Sequence, residues 1–330
     1  MASLAVLGAT SWGLTLAALL ERNGHSVTLL VRSPAEAANV REVRGIERLA
    51  EVRLGPAALV QPSSVAADVE GLVVAVPSQS LRSAVEACVV PRHIPVLSAA
   101  KGLERSTHMR MTEVLAACGW GTNLTAALSG PNLAHEVARG LPAAAVVASG
   151  SGDVAGFWQH AFSGAAFRVY TSVDTVGVEL GGSMKNVIAI AAGAARGLRF
   201  GDNTVATIMT RGLAEMTRLG VSLGADAMTF QGLAGVGDLA ATCFSEQSRN
   251  ARFGSLLAQG LSAQAALEAI GESVEGAGTA AVAVELAAQR GVELPIATQV
   301  AAVVAGERTV AEAMAQLLTR RLTGEAGPRG

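Results

Sequence analysis

Short apolar runs alternate with amphipathic stretches through the first half of the chain. Leu4–Leu7, Val27–Val31, Leu72–Val76, Val96–Ala99, Thr125–Leu128 and Ala143–Ala148 are rich in Val, Leu and Ala. They end in turn chemistry: Gly8, Ser33-Pro34, Pro77-Ser78, Lys101-Gly102 and Ser129-Gly130-Pro131 close the first five. Continuous apolar runs of this length read as buried parallel strands, and their alternation with helical patterns predicts a doubly wound α/β sheet. Near Ser172 the strand signals stop. Periodic Val, Ile, Leu and Ala then predict helices at about 175–195, 203–219, 249–259, 262–270, 279–290, 296–305 and 309–321, with Ser262 as an N-cap and Gly291 as a stop. The reading is a Rossmann-like domain over 1–172 and an all-helical domain over 173–330, with a frayed tail at 324–330.

Bulk properties narrow the function. A chain of 330 residues, half of them hydrophobic, has material for two cores. The formal net charge of -2 argues against a nucleic-acid partner, which needs a basic stripe. Three scattered cysteines, Cys88, Cys118 and Cys243, form neither a disulfide framework nor a zinc knuckle, which fits a reducing, cytoplasmic setting. The five histidines lack ligand spacing, so no metal is expected. The opening Met1-Ala2-Ser3-Leu4-Ala5-Val6-Leu7 has no basic n-region and reads as a strand rather than a signal peptide. No uncharged apolar run is long enough to predict a membrane span.

After the first strand comes Gly8-Ala9-Thr10-Ser11-Trp12-Gly13 and then a helical pattern. This is the strand–turn–helix in which a helix N-terminus faces a pyrophosphate. The second fingerprint glycine is replaced by Thr10, whose side chain crowds the turn but whose hydroxyl can bind a phosphate or cap the helix. At the end of the second strand, Arg32-Ser33 stands where an NAD site usually has an acid, and no acid follows until Glu36. An Arg there suits a 2′-phosphate, so NADP is favoured over NAD; a solvated turn Arg is the alternative. Val76-Pro77-Ser78-Gln79 is placed to wall a cofactor or to make an ordinary turn.

Other segments add to these, in order: Ala75-Val76-Pro77-Ser78-Gln79; Ala100-Lys101-Gly102-Leu103-Glu104; Leu128-Ser129-Gly130-Pro131 with His135-Glu136-Val137-Ala138; Glu179-Leu180-Gly181-Gly182-Ser183-Met184-Lys185-Asn186-Val187; Thr210-Arg211-Gly212-Leu213-Ala214-Glu215-Met216; Gly235-Val236-Gly237-Asp238-Leu239; Ser248-Arg249-Asn250; and Val274-Glu275-Gly276. As an ordered set from about residue 4 to 296 they resemble the bacterial NAD(P)-dependent glycerol-3-phosphate dehydrogenases. The resemblance implies reduction of dihydroxyacetone phosphate for phospholipid synthesis, and often a homodimer. It puts the catalytic lysine at Lys185 and substrate contacts at Lys101, Gly130, Asp238, Ser248, Arg249 and Asn250. Cofactor contacts fall on Ser11, Trp12, Arg32, Lys101, Ala134, Arg249 and Glu275, beside the Gly8, Thr10 and Gly13 turn. Asn132 stands near the substrate position where Ser is usual.

The chemistry asks for such residues. Reducing a ketone needs a hydride, a proton and positive charge at the nascent alkoxide. On a helix, Lys185 shares its face with Gly181, Gly182, Ala189 and Ala192, so it can reach into a cleft or snorkel to water; Asn186, Val187 and Ile190 are expected to point elsewhere. Lys101 follows a strand's carboxyl end, where open α/β sheets bind ligands, and is otherwise a surface turn lysine. A second ammonium would disfavour protonation of both lysines and Asp238 would oppose that; Asp238 can equally be a helix cap. Ser248 as an N-cap with Arg249 makes either a phosphate site or plain capping. His135 reads as a capping or surface residue. Two other functions stay open: a related dehydrogenase of another small phosphate or hydroxy acid, and an idle nucleotide sensor.

Overall fold

The computed structural model describes residues 1–319, the side chain of Arg48 excepted. The expected frayed tail at 324–330 and the last residues of the 309–321 helix lie outside that range. Eight strands make one sheet: β1 (Ser3–Leu7), β2 (Ser26–Val31), β3 (Leu59–Pro62), β4 (Gly71–Val74), β5 (Val96–Ser98), β6 (Thr125–Ser129), β7 (Ala143–Ala148) and β8 (Phe167–Ser172). Their order is β3-β2-β1-β4-β5-β6-β7-β8. The first six follow the 3-2-1-4-5-6 order of dinucleotide-binding sheets, which reverses direction between β1 and β4. Helices α1 (Ser11–Arg22), α2 (Pro34–Val43), α3 (Leu81–Glu86), α4 (Met111–Ala117), α5 (Ala134–Ala138) and α6 (Gly152–Phe162) belong to this half. Two apolar clusters, one around Leu4, Leu29 and Trp158 and one around Leu72, Val96 and Leu115, form its core.

Three sequence expectations need correction here. β7 runs antiparallel to β6, although it is parallel to β8; residues 130–142, with only the short α5 between the two strands, return the chain without a full crossover. β3 and β8 were not expected. β3 is an edge strand whose Pro62 breaks the apolar run, and β8 alternates buried Phe167 and Val169 with exposed Arg168 and Tyr170. The strand expected to reach Val76 ends at Val74.

From Thr175 on the chain is helical: α7 (Thr175–Gly197), α8 (Asp202–Ser222), α9 (Asp238–Phe244), α10 (Arg249–Ala258), α11 (Ala263–Ile270), α12 (Glu275–Gln289), α13 (Pro295–Val304) and α14 (Val310–Leu318). α9 was missed because it has only seven residues and follows a glycine-rich turn. α12 starts at Glu275 rather than near 279, despite the weak helix formers Gly276 and Gly278. α7 is the central helix, buried from Gly177 to Ala195.

Several contacts hold the two halves together, among them three outside the charged site. Leu103, from the loop after β5, is fully buried in the core of the helical half. The buried carboxylate of Glu179 on α7 accepts from the Thr112 N–H at 2.8 Å, the Thr112 hydroxyl at 2.7 Å and the Arg110 guanidinium at 2.7 Å. His108 meets Glu285 at 2.7 Å. Among the described residues no helix is long and apolar enough to cross a membrane.

Candidate active site

At the end of β1 the chain turns through Gly8 at φ +116°, where a side chain is strained and a Cβ would lie 2.8 Å from Val76 Cγ1. Thr10 then caps α1: its Oγ1 accepts from the Gly13 N–H at 2.9 Å and donates to the Ala75 carbonyl at 2.7 Å. The threonine in place of the second glycine thus ties the turn to the end of β4, and its hydroxyl proton is used within the protein. Gly13 packs so closely on the Gly8 carbonyl that no Cβ fits. Ser11 and Trp12 open the helix, where backbone N–H groups lack intrahelical partners, and the buried Trp12 Nε1 has no hydrogen-bond partner among the described residues. Ala134 opens the five-residue α5, and its carbonyl accepts from Thr15 at 3.4 Å. The adjacent His135 is half-buried and pairs with Glu51 at 2.7 Å, a role at the surface.

Past the carboxyl ends of β5 and β6, the two halves of the chain bring three charged groups together. Asp238, the first residue of α9, is 1% exposed. Its Oδ2 lies 2.7 Å from Lys101 Nζ and its Oδ1 2.9 Å from Lys185 Nζ. Lys101 also donates to the Gly130 carbonyl at 2.8 Å, and Lys185 to Thr242 Oγ1 at 2.6 Å. Thr242 sits one turn beyond Asp238 on α9 and donates its own proton to the Asp238 carbonyl at 2.7 Å, so toward Lys185 it is an acceptor. An ammonium has three donors; each lysine spends two on these partners. Lys185 is buried and ion-paired, so it does not snorkel to water, and Lys101 is no surface turn lysine.

Local folding explains the placement. Gly130 lies at φ +132°, with a hypothetical Cβ 3.0 Å from Ala145 Cα, and only there does its carbonyl meet Lys101. The bare face of α7 receives the partners: Gly181 abuts the Ala234 carbonyl in the turn leading to Asp238, and a Cβ on Gly182 would lie 3.4 Å from Lys101 Cγ. Asn186 does not point elsewhere, contrary to expectation. Its amide donates to the Lys101 carbonyl at 3.1 Å, and its Oδ1 accepts from Asn250 at 2.9 Å. Asn250 in turn accepts from the Gly276 N–H at 3.0 Å. This chain of amides links the lysine loop to α10 and α12.

Electrostatics set the protonation states. Burial, the largest influence, pushes the Lys101 ammonium down to about 8; Asp238 opposes this and Lys185 adds to it. Burial alone would raise the Asp238 carboxyl, but the Lys101 and Lys185 ammoniums with their hydrogen bonds hold it below the usual carboxylate value.

Ser248 caps α10 by accepting from the Ala251 N–H at 3.2 Å. Arg249 follows, with a half-exposed guanidinium loosely paired to Glu272 at 3.4 Å. Asn132 donates to the Ala144 carbonyl at 3.0 Å, and its Oδ1 is buried without a partner among the described residues, as is Ser129 Oγ. Glu275 of α12 reaches the turn after β4: it accepts from the Ser78 N–H at 3.0 Å and from the Ser78 hydroxyl. Arg32 lies apart from these groups, just beyond β2, with its side chain 85% exposed. Sequence reasoning missed Thr242, Ser129 and the Glu179–Arg110 pair. Thr242 carried a usable signal, the four-residue spacing from Asp238.

The chain is similar to known proteins over almost its whole length. A family model described as the N-terminus of NAD-dependent glycerol-3-phosphate dehydrogenase matches residues 3–155, and its C-terminal counterpart matches 174–315. A protein from Moorella thermoacetica named glycerol-3-phosphate dehydrogenase (NAD(P)+) is 44% identical over 329 residues, covering 98% of this chain and 97% of that one. One of the same name from Halorhodospira halophila is 42% identical over 325 residues, covering 96% and 97%. The crystal structure of glycerol-3-phosphate dehydrogenase from Coxiella burnetii superposes with a TM-score of 0.87 at 32% identity, covering 97% of this chain and 99% of that one.

The buried triad predicts a strong energetic coupling. Asp238→Asn leaves two buried ammoniums facing a neutral amide and should destabilise the fold by about 3–5 kcal/mol in urea unfolding. Adding Lys185→Met should recover part of that loss. Losses that simply add to within about 0.5 kcal/mol would show the groups to be uncoupled.

Proposed function

The chain belongs to the NAD-dependent glycerol-3-phosphate dehydrogenase family, and on that premise we propose that it interconverts dihydroxyacetone phosphate and sn-glycerol 3-phosphate with NAD(P), supplying glycerophospholipid synthesis. The carboxylate-bridged lysine pair at the carboxyl end of the sheet carries the reading. Two ammoniums and one carboxylate leave a net positive charge in a buried site, suited to an anionic substrate whose ketone oxygen gains charge as it is reduced.

The residues of the glycine turn fit a dinucleotide. Gly8 and Gly13 leave a floor that a Cβ would fill, α1 presents its N-terminus, and Trp12 Nε1 is an unused donor. The bound cofactor supplies the hydride. Ser11 and Trp12 would hold its pyrophosphate, Arg32 its 2′-phosphate and Glu275 with Ser78 the wall beside the nicotinamide, with Ala134 and Arg249 as further contacts. NADPH is the preferred form in this reading, because Arg32 is exposed and only loosely paired.

Toward the substrate, Lys185 has the central role. Its third donor faces the ketone oxygen and delivers the proton, while Asp238 and Thr242 fix the ammonium in place. Lys101 contributes charge and keeps Asp238 ionised. The substrate phosphate is assigned to the α10 N-terminus, where the Ser248 hydroxyl proton, Asn250 and an Arg249 released from Glu272 converge. Gly130 and Asn132 line the other side, the unused Oδ1 of Asn132 accepting from a substrate hydroxyl. A cytoplasmic location and a homodimeric assembly belong to the same proposal, on the strength of the family resemblance alone.

Two measurements test it. Folded protein given NADPH and dihydroxyacetone phosphate should consume NADPH absorbance, and Lys185→Ala should reduce kcat by about 100-fold or more. No turnover by the wild type contradicts the function; full activity of the variant removes Lys185 from the proton transfer. In a pH series, kcat/KM reports the free enzyme. The Lys101 charge is present below about 8 and lost above it, so kcat/KM for reduction should fall as pH rises through that value. Lys101→Arg, which stays cationic, should abolish that limb; an unchanged limb assigns it to another group.

A further inference from the structure

The turn after β2 holds a carboxylate as well as a guanidinium. Glu36, in the first turn of α2, accepts from the Arg32 backbone N–H at 2.9 Å, and the Arg32 Nε and Nη2 stand 3.4 and 3.3 Å from its oxygens. The two side chains differ in freedom. Glu36 is 24% exposed and its own N–H is bound by the Ser33 hydroxyl, whereas Arg32 is 85% exposed and makes only the two long contacts. The carboxylate is therefore the fixed member and the guanidinium the mobile one. Both lie beside the glycine turn, because the Gly8 N–H donates to the Leu30 carbonyl at 2.9 Å, two residues before Arg32.

At this place in a dinucleotide fold, an acid accepts from a ribose 2′-hydroxyl and an arginine accommodates a 2′-phosphate. This chain has both, the acid displaced by four residues from the strand end and brought back by the helix. We propose that Glu36 sets the cofactor selectivity: it accepts from the 2′-hydroxyl of NADH and opposes the 2′-phosphate of NADPH. NADPH binding then requires Arg32 to leave Glu36 and stand between carboxylate and phosphate. The fixed negative charge makes the advantage of NADPH smaller than Arg32 alone would give. This inference rests on the NAD(P) use proposed above.

Calorimetric titration of the ligand-free full chain with NADH and NADPH tests it without turnover, and adenosine 5′-monophosphate against adenosine 2′,5′-bisphosphate isolates the ribose end. Glu36→Gln keeps an acceptor for the Arg32 N–H while removing the charge. It should weaken NADH, tighten NADPH and move the ratio of their Kd values about tenfold toward NADPH. Arg32→Ala should move the ratio the opposite way, and Glu36→Ala repeats the first test without the amide. A ratio unchanged in both Glu36 variants, while Arg32→Ala still shifts it, overturns the proposal alone. A wild type that binds neither dinucleotide overturns the cofactor reading beneath it.

Discussion

Everything in this molecule converges on one carboxylate held between two ammoniums. Asp238 and Lys185 come from the helical half and Lys101 from the loop after β5, so the triad exists only when the halves meet. Burying three charges is costly, and their mutual attraction offsets that cost only when geometry is good and the remaining donors and acceptors are satisfied. The fold goes most of the way to both conditions: Gly130 and Thr242 each take a second donor of a lysine, and the Asn186–Asn250 pair fixes the loop that carries Lys101. The supporting contacts between the halves, Leu103 in the helical core and Glu179 on Arg110 and Thr112, keep the distance between Lys101 and Asp238 from drifting.

The same constraint explains the odd composition of α7. A helix in the middle of a domain normally fills its surroundings with large side chains. Here Gly181 and Gly182 give up that packing so that the turn before Asp238 and the Ser129 hydroxyl can lie against the backbone, beside the Lys101 stem. What is lost in apolar contact is returned as precision in placing charge. The low pull on the Lys101 proton follows from this close burial: a lysine that could reach water would keep its ordinary value.

Much of this was legible in the sequence. The Rossmann turn, six of the eight strands and the change to helices near Ser172 all followed from periodicity and turn residues, and the ordered motifs included Lys101, Lys185 and Asp238, which the structure brings together. The rest was hidden for physical reasons. β3 is an edge strand whose apolar run is broken by Pro62, β8 carries the alternation of a half-buried edge strand instead of the continuous apolar run of its neighbours, and the antiparallel β7 has the same composition as a parallel strand. Asn186 acts through side-chain hydrogen bonds, which leave no periodic trace, and Thr242 left only its four-residue spacing from Asp238. Of the two roles the sequence left open for the Thr10 hydroxyl, phosphate ligand or helix cap, the structure shows the cap, bonded also to the end of β4.

The position of the reacting oxygen decides whether Lys185 delivers the proton. A crystal structure of the protein with NADP and sn-glycerol 3-phosphate would locate it. That role requires the C2 hydroxyl oxygen within about 2.6–3.2 Å of Lys185 Nζ, the phosphate at the α10 N-terminus, and Asp238 still bridging both lysines. A C2 oxygen held by another group, with Lys185 facing away from it, would contradict it.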